Sequence, residues 1–161
     1  MKSLYLILTV LIMNVSAWAQ DNTTTIYLIR HAEKADASAD PHLSVAGKQR
    51  AQQWSTYFAG KDIAAVYSTA TNRTRETAQP LATAKNLQVT EYNAADFYLG
   101  SLVKKMGGQS IVIVGHSNTL PKQINQLLGK DQYTDIAEAE YSQLYTITIT
   151  DGIPTATVQK L

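Results

Sequence analysis

Three segments of the sequence end an apolar run on residues that are cationic or can become so. Arg30 and His31 follow the run TIYLI, Arg73 comes shortly after IAAVYS, and His116 follows SIVIVG. Brought together, these side chains could hold an anion, because guanidinium groups present a planar fork that matches the oxygens of phosphate. A neutral imidazole in the same place could act as a nucleophile.

The apolar runs in front of these residues have the length and composition of β-strands, and longer helical stretches separate them. SIVIVG is an unbroken, β-branched run, which is typical of a strand buried on both faces of a sheet. We predict strands at 25–29, 63–68, 87–92, 110–115, 141–150 and 155–159, and helices at 43–60, 72–86, 94–106 and 118–129. This alternation predicts an α/β domain, a three-layer α/β/α sandwich with a mostly parallel central sheet.

Such a sheet would bring the cationic residues to one edge, because ligands of open α/β sheets bind beyond the carboxyl ends of the strands. Arg75 lies two positions beyond Arg73, and residues two apart do not share a helix face. At most one of these two arginines should therefore reach the site. The start of the helix that follows His116 would add backbone N–H groups for an anion.

Three of the helices carry start or stop signals. In the first, Ser44 should be the N-cap and the apolar face should consist of Val45, Ala51, Trp54 and Phe58. In the second, Pro80 should bend or restart the helix. The last should be capped by Asn118 or Thr119 and end at Gly129.

The N-terminal segment has the features of a secretory signal peptide. Lys2 precedes an apolar run from Leu4 to about Val15, and Ala17-Trp18-Ala19 has the A-x-A pattern of a cleavage site. The run is short for a membrane span, which needs about 20 residues. We predict a cleaved signal peptide at 1–19, a single domain at 20–161, and export to the periplasm or the exterior without stable membrane insertion; an uncleaved anchor is the alternative.

Charge narrows the classes of partner. Removal of Lys2 leaves 13 of the 14 basic residues against 13 acidic ones, so the mature chain is close to neutral. A nucleic-acid-binding protein would need a basic excess, and we predict no nucleic-acid partner. A small phosphorylated molecule or a phosphoprotein fits the cationic cluster better. The chain has no Cys and can form no disulfide.

The segments LIRHAEK, YSTATNRTRETAQP and IVIVGHSN resemble the signature segments of the histidine phosphatase superfamily, which has the phosphoglycerate mutase-like fold. The resemblance is greatest to small, phosphohistidine-phosphatase-like members of the mutase-related branch. The other branch has Asp after its second histidine, where this chain has Ser117. The family opens with Arg-His-Gly, and Ala32 is a variant seen in its short phosphatases. Its second arginine precedes Thr-Ala by four residues, which selects Arg73 rather than Arg75.

The resemblance implies a role for each matching residue. His31 would be the nucleophile that becomes phosphorylated. Around the phosphoryl group would lie Arg30, Arg73 and His116. No metal or other cofactor is implied.

In this branch the proton donor for the leaving oxygen is usually a carboxylate after the third strand. The segment TEYNAADF offers Glu91 and Asp96, and we favour Asp96 because it lies beyond the strand and could reach over the pocket. Glu33 is a third candidate, or a surface charge or ion-pair partner. Ser117 or Asn118 could add a hydrogen bond to the substrate, although helix capping is the simpler role for Asn118.

The sequence therefore predicts a metal-independent phosphatase that hydrolyses phosphomonoesters through a phosphohistidine at His31. A protein phosphohistidine phosphatase and a non-catalytic domain that binds a phosphorylated ligand are the alternatives. A serine hydrolase based on Ser117 is disfavoured, because no histidine follows position 116 and Thr119 replaces the last glycine of the elbow motif. A metal site made of His31, Glu33 and His116 would leave the arginines unexplained.

Overall fold

The structure is a computed structural model that describes residues 23–161. The predicted signal peptide and its cleavage site lie outside the described residues. The elements are, in chain order, β1 (Thr24–Arg30), α1 (Val45–Tyr57), β2 (Ala65–Thr69), α2 (Asn72–Ala84), β3 (Val89–Tyr92), α3 (Leu99–Lys105), β4 (Ser110–Gly115), α4 (Thr119–Leu128), β5 (Gln143–Thr150) and β6 (Ile153–Lys160).

The six strands form one sheet in the order β3-β2-β4-β1-β5-β6. The first four strands of the chain are parallel to one another. β5 runs antiparallel to β1, and β6 pairs antiparallel with β5. Asp151 and Gly152 join this last pair, both with positive φ (52° and 79°), as a two-residue hairpin turn requires.

Helices cover both faces of the sheet. On one face, Trp54 and Phe58 of α1 pack beside Leu81 of α2, and on the other, Leu102 of α3 packs beside Ile124 of α4. Strand β4 contributes Val112 and Val114 to the first core and Ile111 and Ile113 to the second, because successive side chains of a strand point to opposite faces. The predicted three-layer α/β/α sandwich with a mostly parallel sheet is confirmed. No helix within residues 23–161 is long and apolar enough to cross a membrane.

The first helix begins as predicted, but its apolar face differs. The Oγ of Ser44 accepts a hydrogen bond from the backbone N–H of Gly47 at 3.0 Å. The prediction that Val45 belongs to the apolar face is wrong, because this side chain is 76% exposed. Gly47 occupies the buried position one turn before Ala51. A Cβ on Gly47 would overlap the carbonyl oxygen of Glu33, so α1 can approach the segment after His31 only because Gly47 has no side chain.

Three predictions about helix ends need correction. α3 begins at Leu99 rather than near 94, because the Oδ1 of Asn93 accepts a hydrogen bond from the N–H of Ala95 and holds residues 93–96 in a turn. Pro80 lies inside α2, which continues to Ala84, so the helix is not restarted at Pro80. Asn118 precedes α4, but its side chain makes no capping hydrogen bond. Gly129 ends α4 in the left-handed conformation, as predicted.

Candidate active site

The carboxyl ends of β2, β4 and β1 lie side by side, because β4 is the strand between the other two. Arg30 is in register with Gly115, and the N–H of His31 donates to the carbonyl oxygen of Gly115 at 2.9 Å. A Cβ on Gly115 would collide with Leu120 in the first turn of α4. The missing side chain therefore lets the first turn of α4 pack directly against the end of β4.

A cavity of about 580 Å³, called the main cavity below, opens at this edge. Its lining includes six residues predicted for the site, namely Arg30, His31, Arg73, His116, Ser117 and Asn118. Residues that are more than 80 positions apart in the chain thus share one pocket.

His31 is held as a neutral imidazole with one free nitrogen. The ring is 4% exposed, and its Nδ1 lies 2.8 Å from the carbonyl oxygen of Ala32. A carbonyl can only accept, so Nδ1 carries the proton and Nε2 keeps its lone pair. Burial is the largest cause that lowers the pKa of His31 from 6.5 to about 4; the Ala32 carbonyl opposes this shift, and the charges of Arg30 and Arg73 add to it.

His116 is oriented by a network of threonine hydroxyls. Its Nε2 lies 2.9 Å from the Oγ1 of Thr69, which lies 2.9 Å from the Oγ1 of Thr74. The Thr74 hydroxyl donates to backbone carbonyls, one of them that of Thr69 at 2.9 Å. Thr69 must then donate to Thr74, and the Nε2–H of His116 donates to Thr69. Burial is the largest cause that lowers the pKa of His116 from 6.5 to about 4. The positive charges of Arg73 and Arg30 lower the pKa in the same direction.

Arg30 is fixed by the segment between α4 and β5. Its Nη1 donates to the carbonyl oxygens of Ala137, Glu138 and Glu140 at 2.9, 2.8 and 3.1 Å. Its guanidinium carbon lies 4.4 Å from the centre of the Tyr141 ring, within cation–π range. The Nε of Arg30 is buried and has no hydrogen-bond partner among the described residues.

Arg73 is much less restrained by the protein. Its Nε and Nη1 are buried without a hydrogen-bond partner in residues 23–161, and the Oδ1 of Asp40 lies 3.5 Å from Nη1. The Oγ1 of Thr119, at the start of α4, is also buried and unpaired. A buried donor left unpaired costs about 1–3 kcal/mol. Arg30, Arg73 and Thr119 all line the main cavity, so an oxyanion bound there could accept from all three.

The carboxylates proposed as proton donors lie in different places. Glu91 lines a second cavity of about 440 Å³, called the side cavity below, which also has His116 and Thr69 in its wall. Its Oε1 accepts from the Nε of Arg75 at 2.6 Å. Asp96 lies on the exposed turn, where its Oδ2 accepts from the Nδ2 of Asn93 at 2.7 Å, and it lines neither cavity.

Glu33 is an ion-pair partner in this structure, with its Oε1 2.7 Å from the Nη2 of Arg50. Ser117 and Asn118 line the main cavity, and within residues 23–161 their side chains make no hydrogen bond. Arg75 points to Glu91 while Arg73 lines the main cavity, in agreement with the expectation that at most one of them reaches it.

Several residues at the site were not assigned from the sequence. Lys34 and Glu138 line the main cavity. The sequence had given no indication that the Glu138 carboxylate would lie beside the cationic residues. Glu138 lies in the irregular segment between α4 and β5, which carries no local pattern. Thr77 accepts a hydrogen bond from the N–H of Ala32 at 2.9 Å, and the Ala32 side chain is buried beside Leu43. An alanine therefore fits where the family has glycine.

Comparison with known proteins gives a consistent picture. Residues 26–96 match the family model described as histidine phosphatase superfamily, branch 1. This stretch contains Arg30, His31 and Arg73, while His116 lies beyond it. No curated protein sequence matches the chain significantly.

Several solved structures have the same fold, two of them described as phosphatases. The protein histidine phosphatase SixA complexed with tungstate has a TM-score of 0.67 at 17% identity, over 84% of this chain and 96% of that chain. YhfR from Bacillus stearothermophilus has a TM-score of 0.69 at 16% identity, and the match covers 84% of this chain and 96% of that chain. A phosphoserine phosphatase mutant from Entamoeba histolytica in complex with phosphoserine has a TM-score of 0.65 at 19% identity. The match covers 83% of this chain and 95% of that chain.

The family model covers the two segments that contain Arg30, His31 and Arg73, and the shared fold extends over the rest of the domain. Residues 26–96 thus match the histidine phosphatase superfamily, branch 1, and the described domain has the fold of the solved structures named above.

Proposed function

We propose that this protein is a metal-independent phosphatase that hydrolyses phosphomonoesters through a covalent phosphohistidine at His31. One observation carries the proposal. The neutral His31 keeps the lone pair of Nε2 because Nδ1–H is engaged by the carbonyl of Ala32, and the cavity it lines contains unpaired guanidinium donors. A nucleophilic nitrogen beside guanidinium donors that can bind an anion is the arrangement that phosphoryl transfer requires.

In the first step Nε2 of His31 attacks phosphorus, an N–P bond forms, and the bond to the leaving oxygen breaks. The imidazole becomes positive, and the Ala32 carbonyl stabilises it through Nδ1–H. The free donors of Arg30 and Arg73 stabilise the charge on the equatorial oxygens. Water then attacks phosphorus and the N–P bond breaks, while the carboxylate that protonated the leaving oxygen takes a proton from the water; inorganic phosphate is released and His31 is again neutral.

Of the two candidate carboxylates, Glu91 in β3 is better placed than Asp96 to protonate the leaving oxygen, since it shares the side cavity with His116. We expect Glu91→Gln to slow hydrolysis of alkyl phosphates, whose leaving groups need a proton, by about 100-fold. Aryl phosphates with good leaving groups should be affected much less. Asp96→Asn is the matched control and should leave both rates near those of the wild type. The reverse pattern would assign the role to Asp96, as the sequence suggested.

The central experiment measures phosphate release from p-nitrophenyl phosphate, with and without chelator, by the wild type, His31→Ala and His42→Ala. His42 pairs with Glu76 away from the main cavity and serves as a matched histidine control. We expect loss of turnover only in His31→Ala, no effect of chelator, and an acid-labile phosphoenzyme in the wild type. Equal activity of wild type and His31→Ala, or loss of activity on chelation, would refute the proposal.

Protein phosphohistidine remains a second candidate substrate, because the rim of the main cavity is formed in part by an exposed loop that includes Ser38 and Ala39. A phosphohistidine peptide in the same assay tests it. Binding of phosphate without turnover by the wild type would support a non-catalytic phospho-ligand domain. We also propose, on the signal-peptide pattern alone, that the protein acts outside the cytoplasm; the N-terminal residue of the exported chain tests this.

A further inference from the structure

The main cavity contains a carboxylate that the proposed phosphoryl transfer does not use. The Oε1 of Glu138 lies 3.1 Å from the Nζ of Lys34, and its Oε2 lies 3.3 Å from the Nη2 of Arg30. All three residues line the cavity. The Glu138 carboxylate thus bridges two cations beside the place where a phosphoryl group would bind.

The backbone and the side chain of Glu138 have separable functions. Its carbonyl oxygen accepts from Arg30 at 2.8 Å and helps to fix that guanidinium. Its side chain is 75% exposed and, within residues 23–161, forms ion pairs with Lys34 and Arg30 alone. Substitution of the carboxylate by an amide would therefore remove a charge from the cavity without removing the backbone support of Arg30.

The negative charge of Glu138 distinguishes between substrates only through their alcohol part. Every phosphomonoester brings the same phosphoryl group, so the carboxylate affects that group equally in each substrate. An additional carboxylate on the alcohol part would meet Glu138 as a like charge and would find Lys34 already paired, both of which weaken binding. A neutral alcohol part would meet neither obstacle.

We propose that Glu138 is a specificity-determining residue that selects phosphomonoesters of neutral alcohols over those whose alcohol part carries a carboxylate. Lys34 is the cation that such a carboxylate would use once Glu138 is neutralised. This inference rests on the proposed phosphatase function, whose substrate class it narrows.

The test compares two substrates that differ at one carbon. Glycerol 3-phosphate carries a hydroxymethyl group where 3-phosphoglycerate carries a carboxylate. We expect Glu138→Gln to raise the ratio of kcat/KM for 3-phosphoglycerate to that for glycerol 3-phosphate by about tenfold. Adding Lys34→Met to Glu138→Gln should reverse most of that gain. Asp135→Asn removes the same charge from the same exposed segment outside the main cavity, and the ratio should not change.

Two outcomes would overturn the inference: an equal effect of Glu138→Gln on both substrates, or an equal effect of Asp135→Asn and Glu138→Gln on the ratio. Calorimetric titration of both compounds into His31→Asn, with and without Glu138→Gln, measures the same ratio in the absence of turnover. If the wild type released no phosphate but the binding ratio shifted, the specificity role would stand while the proposed function failed. If neither compound bound, the specificity role would fail, whereas the proposed function would fail only if p-nitrophenyl phosphate were also not hydrolysed.

Discussion

The imidazole rings of His31 and His116 meet edge to face in the main cavity, with ring centroids 5.6 Å apart and an interplanar angle of 63°. Different nitrogens are engaged: Nδ1 of His31 contacts the Ala32 carbonyl, and Nε2 of His116 contacts the Thr69 hydroxyl. Burial keeps the pKa of each at about 4. One neutral ring is therefore oriented to attack, and the other is held beside it without adding a positive charge.

Activity should persist at acidic pH. Because the pKa of His31 is lowered to about 4, this proposed nucleophile stays unprotonated well below the ordinary histidine range. We expect the acidic limb of kcat/KM that belongs to the enzyme to lie near pH 4. The profile is measured with a substrate whose own second ionisation has been titrated separately. An enzyme limb near 6.5 would contradict the burial argument.

Stability should have the corresponding pH dependence. The folded-state pKa values of His31 and His116 are about 4, against 6.5 for the unassociated side chain. The unfolded chain therefore binds protons first as the pH falls, so the stability present above pH 6.5 is lost progressively down to about pH 4. Urea unfolding at a series of pH values measures this. His31→Asn should flatten the dependence, and an unchanged slope in that variant would disprove the assignment to His31.

The two arginines should respond differently to substitution. Arg73→Gln removes donors that have no hydrogen-bond partner within residues 23–161 and only a 3.5 Å ion pair with Asp40, so kcat/KM should fall by about 100-fold to 1,000-fold while the unfolding free energy stays nearly constant. Arg30→Gln also removes the hydrogen bonds to three backbone carbonyls and should cost about 3–5 kcal/mol of stability. Denaturant titrations measure the unfolding free energy of both variants, and steady-state kinetics measure their kcat/KM. Equal losses of stability in Arg30→Gln and Arg73→Gln would contradict the prediction.

Thr69 should act on catalysis through His116. Thr69→Val keeps the shape of the side chain but removes the oxygen that receives the Nε2–H of His116. We expect kcat/KM to fall by about tenfold, the effect of one lost hydrogen bond, and the tautomer signature of His116 in ¹⁵N spectra to change. Thr69→Ser should restore both. Normal spectra in Thr69→Val together with reduced activity would argue against a positioning role.

Gly47 should be intolerant of a side chain. Gly47→Ala would drive a Cβ into the backbone of Glu33, two residues beyond the nucleophile, at a cost of about 1–3 kcal/mol and with reduced activity. Gly60→Ala is the matched control, since a Cβ at that position meets no atom within 4 Å. Thermal melts of both variants measure the difference. Similar melting temperatures would mean that α1 can shift at little cost.

Much of the fold followed from local patterns. The β-branched run before His116 and the alternation of strands and helices were sufficient to predict a parallel sheet with polar residues at its carboxyl edge, because burial on both faces requires an uninterrupted apolar strand. The spacing of Arg73 and Arg75 was sufficient to expect that only one of them reaches the site, because helix geometry separates residues two apart. The start of α3 was predicted incorrectly because the turn that shortens this helix depends on one side chain, that of Asn93.

The sequence by itself determined which groups can perform phosphoryl transfer, since the residue types and their positions after strands are local properties. Only the tertiary structure decided how those groups are tuned. It buried His31 and His116 enough to lower their pKa values, tied Arg30 to carbonyls more than 100 residues away, and brought Glu138 to Lys34. These effects depend on distances between segments far apart in the chain, and no local pattern encodes such distances.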